Sequence, residues 1–492
     1  MWTSEDVAGL LNGVLLGAPG ASASGCALDS RLVQAGQMFF ALPGEKVDGH
    51  AFIQSAWEKG AGTVIGLASR LEAAEVVIPP GKALVLVDSV TEALNRLAKA
   101  WRRELGAKVV GITGSNGKTT TKDMVAAVLG QRYQVHESKG NHNNELGLPL
   151  TILSAPPDTE VLVLEMGMRG LGEIRALCAI GEPDIGVITN IGTTHLELLG
   201  SQENIAKAKW ELIEALPPNG IAILNGEDEW SVHKGITDSH PQRFYGIQRT
   251  YATSEIRAVN LETDGTLGTK FSVVWGSEQV EVRLPLPGEH NVLDALAALA
   301  VGTVLGVSLA EGAEGLLKLR LSKMRLEVLP GVEGSTLISD VYNANPVSMQ
   351  ASLRVFNERS GGNPTLAILG EMYELGDAAE SGHRVVGQVV AELGIGHLIS
   401  VGALAEGIAQ GAREAGYPEE KISVCINRAE AITQAKAWLA AQGFSDQGEP
   451  TGRSAGRSAV NKGTWVLIKG SRGMKMEEIT QALQTYPEEK GR

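Results

Sequence analysis

From about residue 105 onward, short apolar runs alternate with longer amphipathic stretches. The runs at 108–113 (Lys-Val-Val-Gly-Ile-Thr), 161–164 and 185–189 carry no apolar/polar alternation. They predict strands buried on both faces, as in a parallel sheet. Helical patterns lie between them, the first over 118–129, and the βαβ rhythm implies helices on both faces of that sheet. A second series begins near Met324, with strands at 336–341, 366–369, 397–401 and 465–468. Its helices start near Pro346, Ser381, Ala403 and Ala429, and Pro346 suits a first helical turn. The first hundred residues differ. They mix short strands at 38–42, 63–65 and 83–87 with short helices, and a helix over 91–105 leads into the next region. Boundaries near 105 and 322 follow, giving an α/β fold of three units. The uncharged stretch 295–310 is broken by Gly302, Thr303, Gly306 and Ser308. It falls short of the roughly 20 residues of a membrane span and predicts a buried helix. Residues 444–462, rich in Gly, Ser and Arg, have no apolar period and predict a loop.

Composition narrows the class. The 492 residues suggest three domains at roughly 150 residues each. A hydrophobic share of 43% excludes a largely disordered chain. Lys and Arg total 43 against 57 Asp and Glu, a net charge of -14, which argues against a nucleic-acid binder. Cys26, Cys178 and Cys425 lie far apart without CxxC spacing, so neither a disulfide framework nor a zinc site is expected. The opening Met-Trp-Thr-Ser-Glu-Asp has no basic, apolar leader pattern. The expectation is a soluble, cytoplasmic protein with no membrane insertion.

The most informative stretch is Gly111-Ile112-Thr113-Gly114-Ser115-Asn116-Gly117-Lys118-Thr119-Thr120, between a predicted strand and a predicted helix. Glycines let backbone N–H groups approach phosphate oxygens, and a helix N-terminus adds positive potential. Lys118 can reach β- and γ-phosphates and the Thr119 hydroxyl can ligate Mg²⁺. GxxxxGK[ST] would need glycine at 112, where Ile112 stands, so the turn is a P-loop variant.

Glu165 directly follows the strand at 161–164, where ligands of an open parallel sheet gather. A carboxylate there can hold Mg²⁺. His195, after the next strand, could reach the same edge. Lys207 and Lys209 read, from their residues alone, as a solvated helix face. Asn291, near the start of a helix over 290–305, suits either a base contact or helix capping. Cys178, in an apparent helix over 171–180, reads as packing. Asn141, Asn143 and Asn144 suit either an amide-rich substrate or a turn.

Taken together, these motifs resemble the Mur ligase family, ATP-dependent ligases of peptidoglycan synthesis. The resemblance rests on 113–120, Glu165, the His195 segment, Ala206-Lys207-Ala208-Lys209 and Glu289-His290-Asn291-Val292. The family's P-loop carries the same one-residue offset. Further stretches are similar to the branch that joins D-alanyl-D-alanine to UDP-N-acetylmuramoyl-tripeptide. They are Gly140-Asn141-His142-Asn143-Asn144-Glu145, Glu165-Met166-Gly167-Met168-Arg169-Gly170, Asp340-Val341-Tyr342-Asn343-Ala344-Asn345-Pro346, Gly370-Glu371-Met372-Tyr373-Glu374-Leu375-Gly376 and Lys469-Gly470-Ser471-Arg472-Gly473.

That resemblance implies a UDP-binding domain (1–104), a central P-loop ATPase domain (105–321) and a Rossmann-like domain (322–492) that closes over the site. It implies ATP contacts from Gly114, Ser115, Asn116, Gly117, Lys118, Thr119, Thr120, Asn291, Arg325, Asp340 and Tyr342. Two Mg²⁺ ions would be held by Thr119, Glu165, His195 and Lys209, the last as a carbamylated lysine, with Lys118, His195 and Lys209 as the catalytic set. Substrate contacts would come from Ser30, Arg31, Asp48, Gly49 and His50, and from Asn141, Asn143 and Asn144. Leu28 stands where the family usually has threonine. The expected substrates are UDP-N-acetylmuramoyl-tripeptide and D-alanyl-D-alanine, joined through an acyl phosphate, and the expected state is a monomer.

Overall fold

A computed structural model of the chain describes residues 2–44, 47–71, 76–247, 254–264, 268–442 and 463–485. The loop expected over 444–462 lies outside them. The central unit is built on a nine-stranded sheet. Its order runs Glu278–Leu284, Gly268–Trp275, Ile256–Asp264, Gln242–Gly246, Ile221–Asn225, Ile185–Ile188, Lys108–Thr113, Val161–Glu165, Val135–Glu137. The seven strands from Ile256–Asp264 to Val135–Glu137 are parallel, and the first two add an antiparallel extension. That extension was not expected from the sequence. Its strands follow the chain after several βαβ turns, and its solvent-facing residues break the apolar runs.

Alternation along the buried strands sends side chains to two cores. Val110, Ile112, Val163 and Val187 meet the helices Lys118–Leu129 and Glu289–Val304 on one face. Val109, Leu162, Leu164 and Ile188 meet Val90–Leu105, Gly147–Leu153, Glu173–Gly181 and Gln202–Glu214 on the other. The strand Lys108–Thr113 sits between Val161–Glu165 and Ile185–Ile188. The chain leaves it towards Val135–Glu137 on one side and later crosses from Val161–Glu165 to Ile185–Ile188 on the other, which opens a crevice at its carboxyl end.

The N-terminal sheet runs Val14–Gly17, Ala83–Val87, Thr63–Leu67, Met38–Phe40, Cys26–Ala27, parallel except for its first strand. Phe40, Ile65 and Val85 belong to the same apolar cluster as Leu162 and Leu164, joined through Leu94, Leu97 and Ala98 of Val90–Leu105. Two units thus share one core. The C-terminal sheet runs Glu327–Pro330, Thr336–Asp340, Trp465–Lys469, Thr365–Gly370, His397–Val401, Ile422–Cys425, parallel except for its first strand. It has its own core on each face. The expected helix at Pro346 is Pro346–Ser360, capped by Asn345. The stretch 295–310 is buried helix over most of its length, and among the described residues no helix is long and apolar enough to cross a membrane.

Leu97 is fully buried where the two units meet. Leu97→Ala is expected to destabilise that shared core by about 2–5 kcal/mol, lowering its unfolding midpoint in urea while leaving the third unit's transition in place.

Candidate nucleotide and metal site

The carboxyl end of the strand Lys108–Thr113 opens into a cleft of about 1800 Å³, lined by all three regions of the chain. The turn 114–117 wraps its floor. Gly114 (φ 155°) lies so close to the next strand end that a Cβ would stand 1.8 Å from the Thr189 hydroxyl. Gly117 (φ 81°) begins the helix in the left-handed region, and a Cβ there would stand 2.5 Å from Asp294. Both positions require glycine for a stated steric reason. Ser115 Oγ accepts the Gly192 N–H (2.8 Å), and the Thr189 hydroxyl and Asn190 amide both donate to the Asn116 carbonyl. The turn is therefore braced by the loop after Ile185–Ile188.

Lys118 donates to the Gly114 carbonyl at 2.8 Å. Burial depresses its pKa, Arg325 adds to that, and Glu165 opposes it. The Thr119 hydroxyl donates to Glu165 Oε2 at 2.7 Å, and the Arg325 guanidinium donates to the same hydroxyl at 2.8 Å. Arg325 also stacks over the Tyr342 ring, 4.3 Å from its centre. Glu165 closes its parallel strand, and its second oxygen accepts from the Asn143 amide at 2.8 Å. Hydroxyl and carboxylate side by side, open to a phosphate-sized space, suit magnesium, which takes one or two protein oxygens and shares the rest with phosphates. No group of three or more His, Cys, Asp or Glu converges as a metal cage among the described residues.

Lys209 corrects the reading from its residues alone. It is 2% exposed, on the inner face of Gln202–Glu214. Among the described residues no carboxylate lies within 4.0 Å of its ammonium. Burial drives its pKa well below the usual lysine value, the Lys118 charge pushes the same way, and Asp228 opposes both. Lys207 is the solvated one, paired with Glu203 at 2.9 Å. His195 stands in the left-handed region (φ 67°) at the start of a short helix, with Nδ1 2.7 Å from a Glu374 carboxylate oxygen. Burial lowers its pKa, Glu374 opposes that, and the Lys118 and Lys209 charges reinforce it.

The third unit contributes Asp340, Tyr342 and Asn345. Asp340 is buried, paired with Lys469 at 2.5 Å and accepting from Ser352 at 2.6 Å. Burial raises its carboxyl, but that ammonium and hydroxyl outweigh it and hold the pKa below the usual range. Asn345 donates its amide to Asn116 Oδ1 at 2.7 Å across the junction.

The structure brings the P-loop residues Gly114 to Thr120, Glu165, His195, Lys209, Asn291, Arg325, Asp340, Tyr342, Asn141, Asn143 and Asn144 to the cleft wall. Several have local duties as well. Asn144 accepts the Gly147 N–H, Asn143 holds Glu165, and Asn291 donates to the Pro287 carbonyl at 2.7 Å. The N-terminal set stands apart from the wall. Ser30 is buried, and Arg31 is exposed and forked onto Asp29. Asp48 accepts the His50 N–H and contacts its Nδ1, while His50 Nε2 accepts the Leu67 N–H at 2.9 Å. Both His50 ring nitrogens are thus occupied. Gly49 fits because a Cβ would stand 2.7 Å from Leu42 backbone atoms.

Sequence reasoning missed Asp228, Asp294 and Glu374. Asp228 reads as the cap it also is, of Glu229–Thr237. Asp294 gave one usable signal: it lies three residues past Asn291, on the same helix face. Glu374 belongs to a resembling stretch but carried no role.

A P-loop at the carboxyl end of a parallel sheet, with a carboxylate, a histidine and a buried lysine lining the same cleft, is the arrangement of a nucleotide-binding site. The chain matches the Mur ligase family model in three parts: the catalytic domain over 22–102, the middle domain over 112–302 and the glutamate ligase domain over 324–448. The chain belongs to the Mur ligase family. It is 38% identical to the UDP-N-acetylmuramoyl-tripeptide–D-alanyl-D-alanine ligase of Bacillus subtilis, covering 94% of this chain and 93% of that one. It is 32% identical to the ligase of the same name from Escherichia coli, over 98% of each. Among solved structures it is similar to MurF from Acinetobacter baumannii (TM-score 0.81, 29% identity, 98% of each chain). It is also similar to MurF ligase from Thermotoga maritima in complex with ADP (TM-score 0.72, 27% identity, 93% of this chain and 96% of that one).

Burial raises the Asp294 carboxyl from 3.8 to about 7, opposed by the Thr121 hydroxyl and Arg325. The folded state therefore binds a proton that the unfolded state releases, so this group makes stability fall as pH rises from about 4 to about 7. Asp294→Asn is expected to flatten that part of the stability–pH curve, read by urea unfolding at pH 4, 5.5 and 7.

Proposed function

We propose that this protein joins D-alanyl-D-alanine to UDP-N-acetylmuramoyl-tripeptide, with ATP converted to ADP and phosphate. The supporting observation is the likeness to the Bacillus subtilis ligase along nearly the whole of both chains. A free carboxylate is a poor acylating agent at neutral pH. Its oxygen attacks the γ-phosphorus of ATP and ADP leaves, giving an acyl phosphate. The dipeptide nitrogen then attacks the acyl carbon, phosphate leaves, and the nitrogen loses a proton. The turn 114–117 and Lys118 cradle the phosphates, and Lys118 offsets charge as the phosphoryl group moves. Arg325 approaches the same phosphates from the third unit, while Asn291, Asp340 and Tyr342 frame the nucleotide.

Thr119 and Glu165 would hold one Mg²⁺ ion, and His195 with Lys209 as its carbamate a second; magnesium supplies charge neutralisation between phosphate and carboxylate. Burial disfavours the charged form of Lys209, and a neutral amine is the form that adds CO₂ and loses a proton. Once carbamylated it presents oxygens to a hard cation. Units 1–104, 105–321 and 322–492 serve UDP binding, ATP binding and closure. In the first, the exposed Arg31, held by Asp29, offers a solvent-facing cation, while Ser30, Asp48, Gly49 and His50 shape the loops around it. Asn141 faces the substrate, with Asn143 and Asn144 fixing its turn. The protein acts as a cytoplasmic monomer.

The test is phosphate release with ATP, UDP-tripeptide and D-alanyl-D-alanine, each omitted in turn. Release should need all three, and dipeptide-independent hydrolysis would overturn the reading. Lys118→Ala is expected to lower turnover by about 10²-fold or more with the circular-dichroism spectrum unchanged. Lys209→Ala should lose activity that bicarbonate does not restore and a short-chain carboxylate partly does. Full activity of that variant would remove Lys209 from the site.

A further inference from the structure

The segment joining the second and third units lies along one face of the P-loop helix on two rungs. Thr119 and Asp123 are one turn apart on that helix, and Ser322 and Arg325 are three residues apart on the segment. Arg325 donates to the Thr119 hydroxyl at 2.8 Å. Asp123 accepts twice from Ser322, at 2.7 Å from its N–H and 2.9 Å from its hydroxyl. The two rungs differ in kind. The first ends on a hydroxyl that the functional reading gives to the nucleotide's metal. The second is a buried carboxylate that Lys122 fixes at 2.6 Å, itself held by Glu137 at 2.8 Å. Met324 (φ 67°) and Leu326 (φ 45°), on either side of Arg325, both lie in the left-handed region. Such backbone persists only where its surroundings over-determine it.

We propose that Asp123 is a positioning residue: it anchors Ser322 as the fixed point about which Arg325 leaves Thr119 and turns onto the phosphates. Asp123 touches no reacting atom and acts through Arg325. The inference rests on the functional reading for the reaction it serves, while the anchor itself is a contact between helix and linker.

The test uses the full chain with Ser322→Ala, Asp123→Ala and Arg325→Ala, alone and combined. Ser322→Ala leaves the Lys122 ion pair intact, so it remains informative if Asp123→Ala fails to fold. Turnover should fall about tenfold in Ser322→Ala and up to about 10²-fold in Asp123→Ala, as for a misplaced catalytic group. The KM for ATP should stay within about threefold of wild type. Placed in the Arg325→Ala background, either change should cost nothing further, because the arginine it positions is gone. A general structural role would instead cost the same factor with or without Arg325. That outcome, or unchanged turnover in Ser322→Ala, overturns the proposal. Calorimetry with a non-hydrolysable ATP analogue and with ADP gives a readout free of the dipeptide. The preference for the triphosphate should fall in both Ser322→Ala and Arg325→Ala. If wild type shows no dipeptide-dependent release, the functional reading fails, and this affinity ratio alone decides the anchor. An unchanged ratio then overturns it.

Discussion

The contact between the Thr119 hydroxyl and the Glu165 carboxylate, 2.7 Å apart, is the point on which the site converges. It exists because two neighbouring parallel strands end together. Glu165 pairs in register with Ile112, so the turn that follows Thr113 brings the helix start over the carboxylate. Strands with apolar side chains on both faces tolerate polar groups only at their ends, and the cleft is lined by such ends. Asn143 of the central unit and Arg325 of the third both bond to this pair, and Tyr342 stacks on Arg325.

The three units are joined by two different kinds of contact. The first and second share an apolar cluster through Leu94, Leu97 and Ala98, which resists relative movement because separating them would expose buried side chains. The second and third meet through polar contacts: Asn345 with Asn116, Glu374 with His195 and Arg325 with Thr119 at the cleft, and Thr263 with Glu358 away from it. Exchangeable hydrogen bonds and a half-exposed ion pair are weak against water. A ligand that offers phosphate oxygens could replace such contacts at small cost.

Much of this was legible in the chain. The buried strands announced themselves because double-sided burial removes polar residues, and the helix Lys118–Leu129 begins and ends where its pattern placed it. The P-loop was legible because its chemistry is contiguous. What stayed hidden depends on distant partners. Lys209 looks like Lys207, two residues earlier, and only packing shows that one is buried and the other wet. Asp294 lies 177 positions from the Gly117 it abuts, and no local pattern links them. The antiparallel extension at 268–284 escaped notice because half-exposed strands lack the uniform apolar signature.

The shared core of the first two units bears on how the chain can be dissected. Cutting near residue 105 would sever the helix Val90–Leu105 from the sheet it covers and strip an apolar face bare. An excised central fragment would then be prone to aggregate rather than to behave as a minimal ATPase. A cleavage near 320 would cross mostly wettable contacts and leave the cores of the third unit separate from those of the first two. Among the described residues, the natural seam for truncation therefore lies near 320 rather than near 105.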